Sequence, residues 1–343
     1  MRGMRRGVMV FLTLLPMAGW QPVVAQTNWG VAKTFQIGGQ GSWDYVTVDA
    51  PTHRLFVPRS THTMVIDAGS GKTLGDIPGQ KIAHGVALAP EVGRGFISDG
   101  GGDGAVVIFD LKTYAVVGKV AAQPDADGII YEPALKRVLV VSGDRGVLMS
   151  FPPDIDPLKG KIEAPIDLGG APEFLASDGA GKVFVNLMDK DLVAVVDMKA
   201  RQVVARWPVA PGGAPVGMAI DRKARRLVIG CRKPQKLVVM STVDGKVLSA
   251  LPIGAGVDAT AIDGGQIFAS SGDGTLAVAS EVSPGKFEIA QMVKTPARAR
   301  TMGIDPITHR IYLPTAIFED PKPGATARPT VKPDSFMIVE VAH

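Results

Sequence analysis

The sequence predicts an all-β fold, a seven-bladed β-propeller built from four-stranded blades. The chain contains 41 glycines and 26 prolines among 343 residues, so turns are frequent and long helices are disfavoured. Short apolar segments recur at intervals of 40 to 46 residues, a length that holds the four strands of one blade. A content of 46% apolar and 20% charged residues is typical of globular proteins and excludes disordered, collagen-like and disulfide-scaffold chains.

The first 25 residues are expected to form a signal peptide. A basic start is followed by an apolar run from Val8 to Met17 and by small residues at the positions three and one before a cleavage site after Ala25. The apolar run is shorter than the ~20 residues that a membrane-spanning helix needs. We therefore expect a periplasmic or secreted protein without a membrane span, in which residues 26–343 form one propeller domain.

Charge and cysteine content narrow the function classes. Without the signal peptide the chain has 34 basic and 33 acidic residues, so it offers no general attraction for nucleic acid. Cys231 is the single cysteine, which excludes intrachain disulfides, thiolate zinc sites, iron–sulfur ligation and covalent haem. It follows a β-branched run, so a buried inert thiol is favoured over a nucleophile. No cofactor is expected.

Each repeat is predicted to begin with two strands at fixed positions. The first strand of each repeat ends near an anchor residue, and the anchors are Asp49, Ala89, Glu132, Asp178, Asp221, Asp263 and Asp305. The second strand follows after a short turn, and its predicted ranges are His53–Val57, Gly93–Ile97, Lys136–Val140, Gly181–Val185, Arg225–Ile229, Gly265–Ala269 and His309–Leu313. Third and fourth strands complete each repeat.

The last repeat lacks a fourth strand, because the chain ends soon after its third strand, Ser335–Val341. Residues 26–39 are expected to supply it, through a strand over Lys33–Gly39 that has the same glycine ending as the other fourth strands. This pairing would close the ring and leave no sheet edge exposed at the point where the chain meets itself.

Charged residues occupy one equivalent position of the repeats, five residues before each anchor. A propeller brings equivalent positions to the same face, so these side chains are expected to form a funnel around the central channel. The ligand-binding residues predicted there are Asp44, His84, Asp127, Glu173, Asp258 and Arg300, with Val216 at the seventh position. The alternative is that the carboxylates only accept backbone N–H bonds from their own loops.

Two chemical roles remain open for this ring. A hard cation held by Asp127 and Glu173 is one, although no metal-binding motif supports it and no metal site is assigned. An acid/base pair of His84 with a carboxylate is the other.

A second layer of residues is expected around the ring. It comprises a basic belt with an apolar wall, and its members are Trp43, Arg59, His62, Arg145, Lys190, Arg232, Lys233 and Arg298. The proline-rich loop from Pro314 to Asp334 is the longest insertion and is expected to act as a partial lid.

Several segments carry a family resemblance over the whole chain after residue 25. They include third-strand endings such as Val65-Ile66-Asp67, turns such as Gly71-Lys72 and Gly245-Lys246, and the segment Ser271-Gly272-Asp273-Gly274-Thr275. The chain resembles the YncE-like, YVTN-repeat family of exported seven-bladed propellers, which are similar to the β-chain of quinoprotein amine dehydrogenase. The literal Tyr-Val-Thr-Asn motif does not occur in this sequence.

The resemblance implies a WD40/YVTN-like propeller and no settled activity. We expect a monomeric binding or interaction protein that takes a small polar ligand or a protein partner in its charged funnel, with nucleic acid as a weaker option. The alternative is a lactonase-type hydrolase, because some propellers that resemble this one open sugar lactones at the channel mouth. An electron-transfer accessory subunit is less favoured, since the sequence has no cofactor motif.

Overall fold

The computed structural model describes residues 28–319 and 329–343, and these residues form 27 β-strands and three short 3-10 turns. The all-β prediction is confirmed. The predicted signal peptide, with its cleavage site after Ala25, lies outside the described residues. Within the described residues, no helix is long and apolar enough to cross a membrane.

Four sheets are antiparallel four-stranded units of consecutive strands, each resembling a propeller blade. The first contains β9 (Ala126–Glu132), β10 (Arg137–Ser142), β11 (Val147–Phe151) and β12 (Ile166–Asp167). The second contains β13 (Pro172–Ser177), β14 (Lys182–Leu187), β15 (Leu192–Asp197) and β16 (Gln202–Pro208). The third contains β17 (Pro215–Asp221), β18 (Arg226–Arg232), β19 (Gln235–Ser241) and β20 (Val247–Pro252). The fourth contains β21 (Val257–Asp263), β22 (Gln266–Ser271), β23 (Thr275–Ser283) and β24 (Lys286–Lys294).

The fifth four-stranded sheet joins the two ends of the chain. It contains β25 (Gly303–Asp305), β26 (Arg310–Thr315), β27 (Met337–Ala342) and β1 (Gly30–Gln36), and β1 pairs antiparallel with β27. Just before β1, Trp29 hydrogen-bonds Gln291 through its backbone and packs edge-on against Phe268, 4.9 Å between ring centroids. The pairing of an N-terminal strand with the last strand is present, three residues earlier than the sequence predicts.

The remaining strands form one seven-stranded sheet, which corrects the expectation of seven separate four-stranded sheets. It contains β2 (Thr47–Asp49), β3 (Arg54–Pro58), β4 (Ser60–Asp67), β5 (Thr73–Ala89), β6 (Arg94–Asp99), β7 (Ala105–Asp110) and β8 (Val116–Ala121). The described residues therefore give five separate four-stranded blades, and none of their sheets closes on itself.

The long strand β5 is the reason for this difference. Its first half pairs with β4 and its second half with β6, so one strand serves two neighbouring units. The glycine at Gly79 predicts a break, but the backbone N–H groups of Lys81 and Ile82 donate to Asp99 Oδ1 at 2.9 and 2.8 Å. These bonds hold the linking residues extended against β6.

The residue before each second strand has a left-handed backbone conformation. Its φ lies between 50° and 110° in all seven repeats, at His53, Gly93, Lys136, Gly181, Arg225, Gly265 and His309. The sequence predicts that the second strands begin at these residues, and the structure begins each of them one residue later. A positive φ is incompatible with an extended strand, which explains the shift.

Apolar strands pack between neighbouring sheets. The run Leu237 to Met240 in β19 is fully buried, with Leu237 and Val239 in one core cluster and Val238 and Met240 in the next. Successive side chains of a strand point to opposite faces, so both faces of β19 are covered. The first strands of the units surround a central cavity of about 510 Å³.

We predict that removal of β1 destabilises the whole molecule. A chain that begins at Gln40 exposes the buried apolar strand β27 as an unpaired edge, whereas a chain that begins at Gln26 keeps it covered. Calorimetry and light scattering of the two chains are expected to show loss of cooperative melting or aggregation for the shorter one. Equal melting temperatures and no aggregation would contradict the role of β1.

Candidate functional site

Seven charged side chains meet at one end of the central cavity. Here they are called the charged cluster: Asp44, His84, Asp127, Glu173, Arg232, Asp258 and Arg300. The five acidic and histidine members stand five residues before the ends of the inner strands, as the sequence predicts. His84, Asp127, Glu173 and Asp258 lie in the inner strands β5, β9, β13 and β21, and Asp44 lies three residues before β2. The cluster divides into two hydrogen-bonded groups and one unpaired carboxyl.

The first group surrounds His84. Its Nδ1 lies 2.7 Å from Asp44 Oδ2 and 3.6 Å from Asp127 Oδ1. Burial alone would lower the pKa of His84, but the hydrogen bond to Asp44 and the charges of Asp127 and Asp44 raise it to about 9. At neutral pH the imidazole is therefore protonated and donates to Asp44.

The Asp127 carboxyl is poorly satisfied. Its Oδ1 is buried and has no hydrogen-bond partner among the described residues. Burial raises the pKa of Asp127 well above its usual range, and the charges of Asp44 and Glu173 raise it further, against a lowering effect of His84. A buried carboxylate oxygen without a partner is costly, so this position favours a proton or another cation.

The second group surrounds Asp258, which is 5% exposed. Arg300 Nε lies 2.9 Å from Asp258 Oδ2, and a terminal nitrogen of Arg232 hydrogen-bonds Asp258 Oδ1. Burial raises the pKa of Asp258 although both guanidinium groups lower it. The two arginines of the cluster are thus both engaged by one carboxylate.

Glu173 makes no side-chain hydrogen bond or ion pair within the described part of the chain. Burial raises its pKa to about 7, with Arg232 lowering it and the nearby Asp258 and Asp44 charges raising it. At pH 7 the Glu173 carboxyl is therefore protonated in about half of the molecules.

The ring carboxylates do not have the alternative role considered above, in which they accept backbone N–H bonds from their own loops. None of Asp44, Asp127, Glu173 and Asp258 accepts a backbone N–H bond in the described structure. Other acids have that role, since Asp99, Asp189, Asp191 and Asp273 accept N–H bonds from loops 17 to 23 residues away in sequence. Val216, at the seventh ring position, is fully buried and contributes no charge.

Tyr45 also belongs to the site, although it is not among the residues that the sequence predicts there. Its ring lies 4.8 Å from that of Phe174 at an angle of 48°. Burial raises the pKa of Tyr45 well above its usual range, and the charges of Asp127, Asp44, Asp258 and Glu173 raise it further. The phenol therefore stands among four carboxyls and stays neutral.

A sequence pattern does point to this aromatic pair. The residue directly after the ring position is small in five repeats, namely Gly85, Gly128, Gly217, Ala259 and Thr301, and aromatic in the other two. A Cβ on Gly128 would lie 2.5 Å from the carbonyl oxygen of Glu173, so the inner strands approach too closely for a larger residue there. The two aromatic residues at this position, Tyr45 and Phe174, pack against each other.

Beneath the cluster lies a cavity of about 80 Å³. Tyr45, Phe174 and Asp258 form part of its wall, and apolar inner-strand residues such as Met218 and Met302 form the rest. Its volume suits a small group rather than a large ligand, with charge on one side and apolar surface on the other.

Two predicted members of the outer layer have different environments from those expected. Arg59 is 1% exposed, so it does not belong to an exposed basic belt. Its guanidinium donates to the carbonyls of Gly38, Gly39 and Gly41 and stacks 3.6 Å over the Phe336 ring, which fixes the loop after β1. Arg232 belongs to the charged cluster instead of the belt.

The other outer residues lie at or near the surface. Trp43 packs against Phe318 and Phe336, and Arg298 stands 5.0 Å over the Phe318 ring. The remaining basic members are only loosely engaged: His62 lies 3.8 Å from Asp76, Lys190 pairs with Asp189, and Arg145 and Lys233 are exposed. Of the expected lid, residues 320–328 lie outside the described part of the chain.

Cys231 is fully buried, as the sequence predicts. Burial raises the pKa of its thiol to about 12, with a smaller contribution from Asp191. A neutral, inaccessible thiol is neither a nucleophile nor a metal ligand.

Comparison with solved structures supports the propeller fold. The chain is similar to hydrazine synthase from Kuenenia stuttgartiensis, with a TM-score of 0.68 and 12% identity over 81% of this chain and 94% of that chain. It is also similar to a chain of the mitotic checkpoint complex, with a TM-score of 0.72 and 12% identity over 98% of both chains. At such identity the likeness shows the fold alone. No protein-family model and no curated protein sequence matches this chain.

We predict that Glu173→Gln stabilises the protein in a pH-dependent manner. The folded protein holds the Glu173 proton up to about pH 7, whereas the unfolded chain releases it near 4.5. The contribution of this carboxyl to stability is therefore greatest below pH 4.5 and falls as the pH rises to 7. Above pH 7 the variant is expected to exceed wild type by about 1–2 kcal/mol, and near pH 4.5 the two are expected to be equal.

Denaturant unfolding at several pH values measures this difference. Glu281→Gln is the matched control, because Glu281 binds both terminal nitrogens of Arg226 at 2.7 and 2.8 Å and its pKa is lowered. That variant is expected to lose stability at neutral pH. A loss for Glu173→Gln at pH 8 would show that its carboxylate is favourably paired and would contradict the site description.

Proposed function

We propose that this chain is an exported binding protein whose charged cluster forms a funnel for a small polar ligand that carries positive charge. One observation carries the proposal, the excess of carboxyls over cations around the cavity. Five carboxyls interact there, those of Asp44, Asp125, Asp127, Glu173 and Asp258, against three basic groups. Both arginines are engaged by Asp258. A cationic ligand would therefore supply the compensating positive charge that is missing beside Asp127 and Glu173.

Binding is favoured over hydrolysis by the state of His84. A general base has to be neutral, and a pKa of about 9 keeps this imidazole protonated at neutral pH. Within the described residues His84 makes no hydrogen bond to a serine, threonine or cysteine side chain, so no hydrogen-bonded nucleophile supports a lactonase-type reaction. The hydrolase alternative is tested by assay with sugar lactones.

Nucleic acid is the less favoured partner. Phosphate binding needs free basic side chains, and the two arginines of the funnel are held by Asp258. A protein partner remains compatible with the proposal when it presents a lysine or an N-terminal amine to the funnel, and one structural neighbour is a chain of a protein complex.

We further infer that the propeller has seven blades and belongs with the exported YncE-like, YVTN-repeat proteins that the sequence resembles. Support for seven comes from β5, which divides the seven-stranded sheet into two units, and from the positive φ that recurs in seven repeats. Support for export to the periplasm comes from the residue pattern of the first 25 residues.

A thermal-shift panel tests the proposed ligand class. Small amines and amino sugars are expected to raise the melting temperature of wild type, whereas carboxylic acids and sugar phosphates of similar size are not. Glu173→Gln and Asp127→Asn are expected to weaken the effect at least about tenfold in ligand concentration, as loss of a charge-assisted contact does.

His309→Gln is the matched control for this panel. His309 also lies 2.7 Å from a carboxylate, that of Asp263, but outside the charged cluster, so its replacement should leave the response unchanged. Stabilisation by anions instead of cations, or an undiminished response in both cluster variants, would contradict the proposal.

A further inference from the structure

We propose that Asp44, His84 and Asp127 bind a divalent transition-metal ion such as Zn²⁺. The inference rests on the proposed function, since it names a cation for the same cluster. It differs from the pair considered at the sequence level, because Asp44 and His84 take the place of Glu173 beside Asp127.

The donor atoms are close enough for one ion. One oxygen from each aspartate and a ring nitrogen of His84 all lie within 4.8 Å of one another. Ions with bonds of about 2.0–2.2 Å hold ligands at separations below about 4.5 Å, so small side-chain shifts bring all three donors onto one ion. Three inner strands, or the residues just before them, carry the donors.

A separate observation points to a ligand at the same place. Asp127 Oδ1 is buried, lacks a hydrogen-bond partner in the part of the chain that the structure describes, and lies 3.6 Å from His84 Nδ1. Among the described residues, two other buried carboxylate oxygens lack partners, those of Asp305 and Glu340, but neither lies beside a histidine and a second carboxylate together. An ion between Nδ1 and the two aspartates would satisfy the unpaired oxygen.

The donor types select the class of ion. Calcium and magnesium prefer oxygen ligands alone, whereas an imidazole nitrogen suits zinc and its neighbours. On binding, the Nδ1–H bond of His84 breaks, its proton leaves to solvent, and the nitrogen lone pair goes to the metal. Asp44 then changes from hydrogen-bond acceptor to metal ligand.

Calorimetric titration of the chelator-treated protein with ZnCl₂ tests the proposal. Wild type is expected to bind one Zn²⁺ per chain, and CaCl₂ to bind at least about tenfold more weakly. His84→Gln and Asp127→Asn are expected to weaken Zn²⁺ binding by about 100-fold or more, since even loss of a supporting contact costs 10–100-fold. His309→Gln, which breaks the comparable His309–Asp263 pair, is expected to bind like wild type.

X-ray absorption of the Zn²⁺-loaded wild type gives a readout that needs no variant. We expect the ion to be coordinated by one imidazole nitrogen and otherwise by oxygen ligands. Two or more imidazole ligands would overturn the assignment. No saturable Zn²⁺ binding by wild type, or binding that persists in both cluster variants, would also overturn it. If Zn²⁺ fails while organic cations stabilise wild type, the metal assignment alone falls. If both fail, the proposed function falls with it.

Discussion

Close approach of the inner strands around one axis is the constraint from which the site follows. At the position after the ring residues, five of the seven repeats carry a small residue, and a Cβ on Gly217 would lie 2.8 Å from the carbonyl oxygen of Asp258. The strands can approach this closely only where side chains are small. The charged residues one position earlier are therefore brought together whatever their mutual repulsion.

Within the cluster, some of the crowded carboxylates are paired with basic side chains and others are not. Two arginines and the most buried carboxylate of the cluster, Asp258, compensate one another, and His84 donates its proton to Asp44 while lying 3.6 Å from Asp127. Glu173 and one oxygen of Asp127 are left over, and burial raises the pKa of both carboxyls. A fold that needed only stability would replace such groups by neutral ones, because unpaired buried charge is destabilising. Their presence is the physical basis of the cation-binding role that we propose.

The sequence predicts much of this architecture because the regular spacing of the repeats locates the strand ends. Six of the seven predicted first-strand ends coincide with observed ends, and the seventh, Asp178, lies one residue beyond β13. Ring residues are likewise found by position alone. The continuity of β5 is not predictable in this way, because bonds to Asp99, which lies far along the chain, keep its middle extended. The ion pair between Arg232 and Asp258 is not predictable from the repeat spacing, because it depends on how the strands are arranged in three dimensions.

The ionisation of Glu173 tests the central claim most directly. Carbon NMR of the side-chain carboxyl, assigned by comparison with Glu173→Gln, follows its titration in the folded protein without ligand. The account predicts a midpoint near pH 7, with a downward shift when a cation binds. A midpoint at or below the ordinary value of 4.5 would mean that the carboxylate is already compensated within the protein, and would contradict the assignment of this cluster as a cation site.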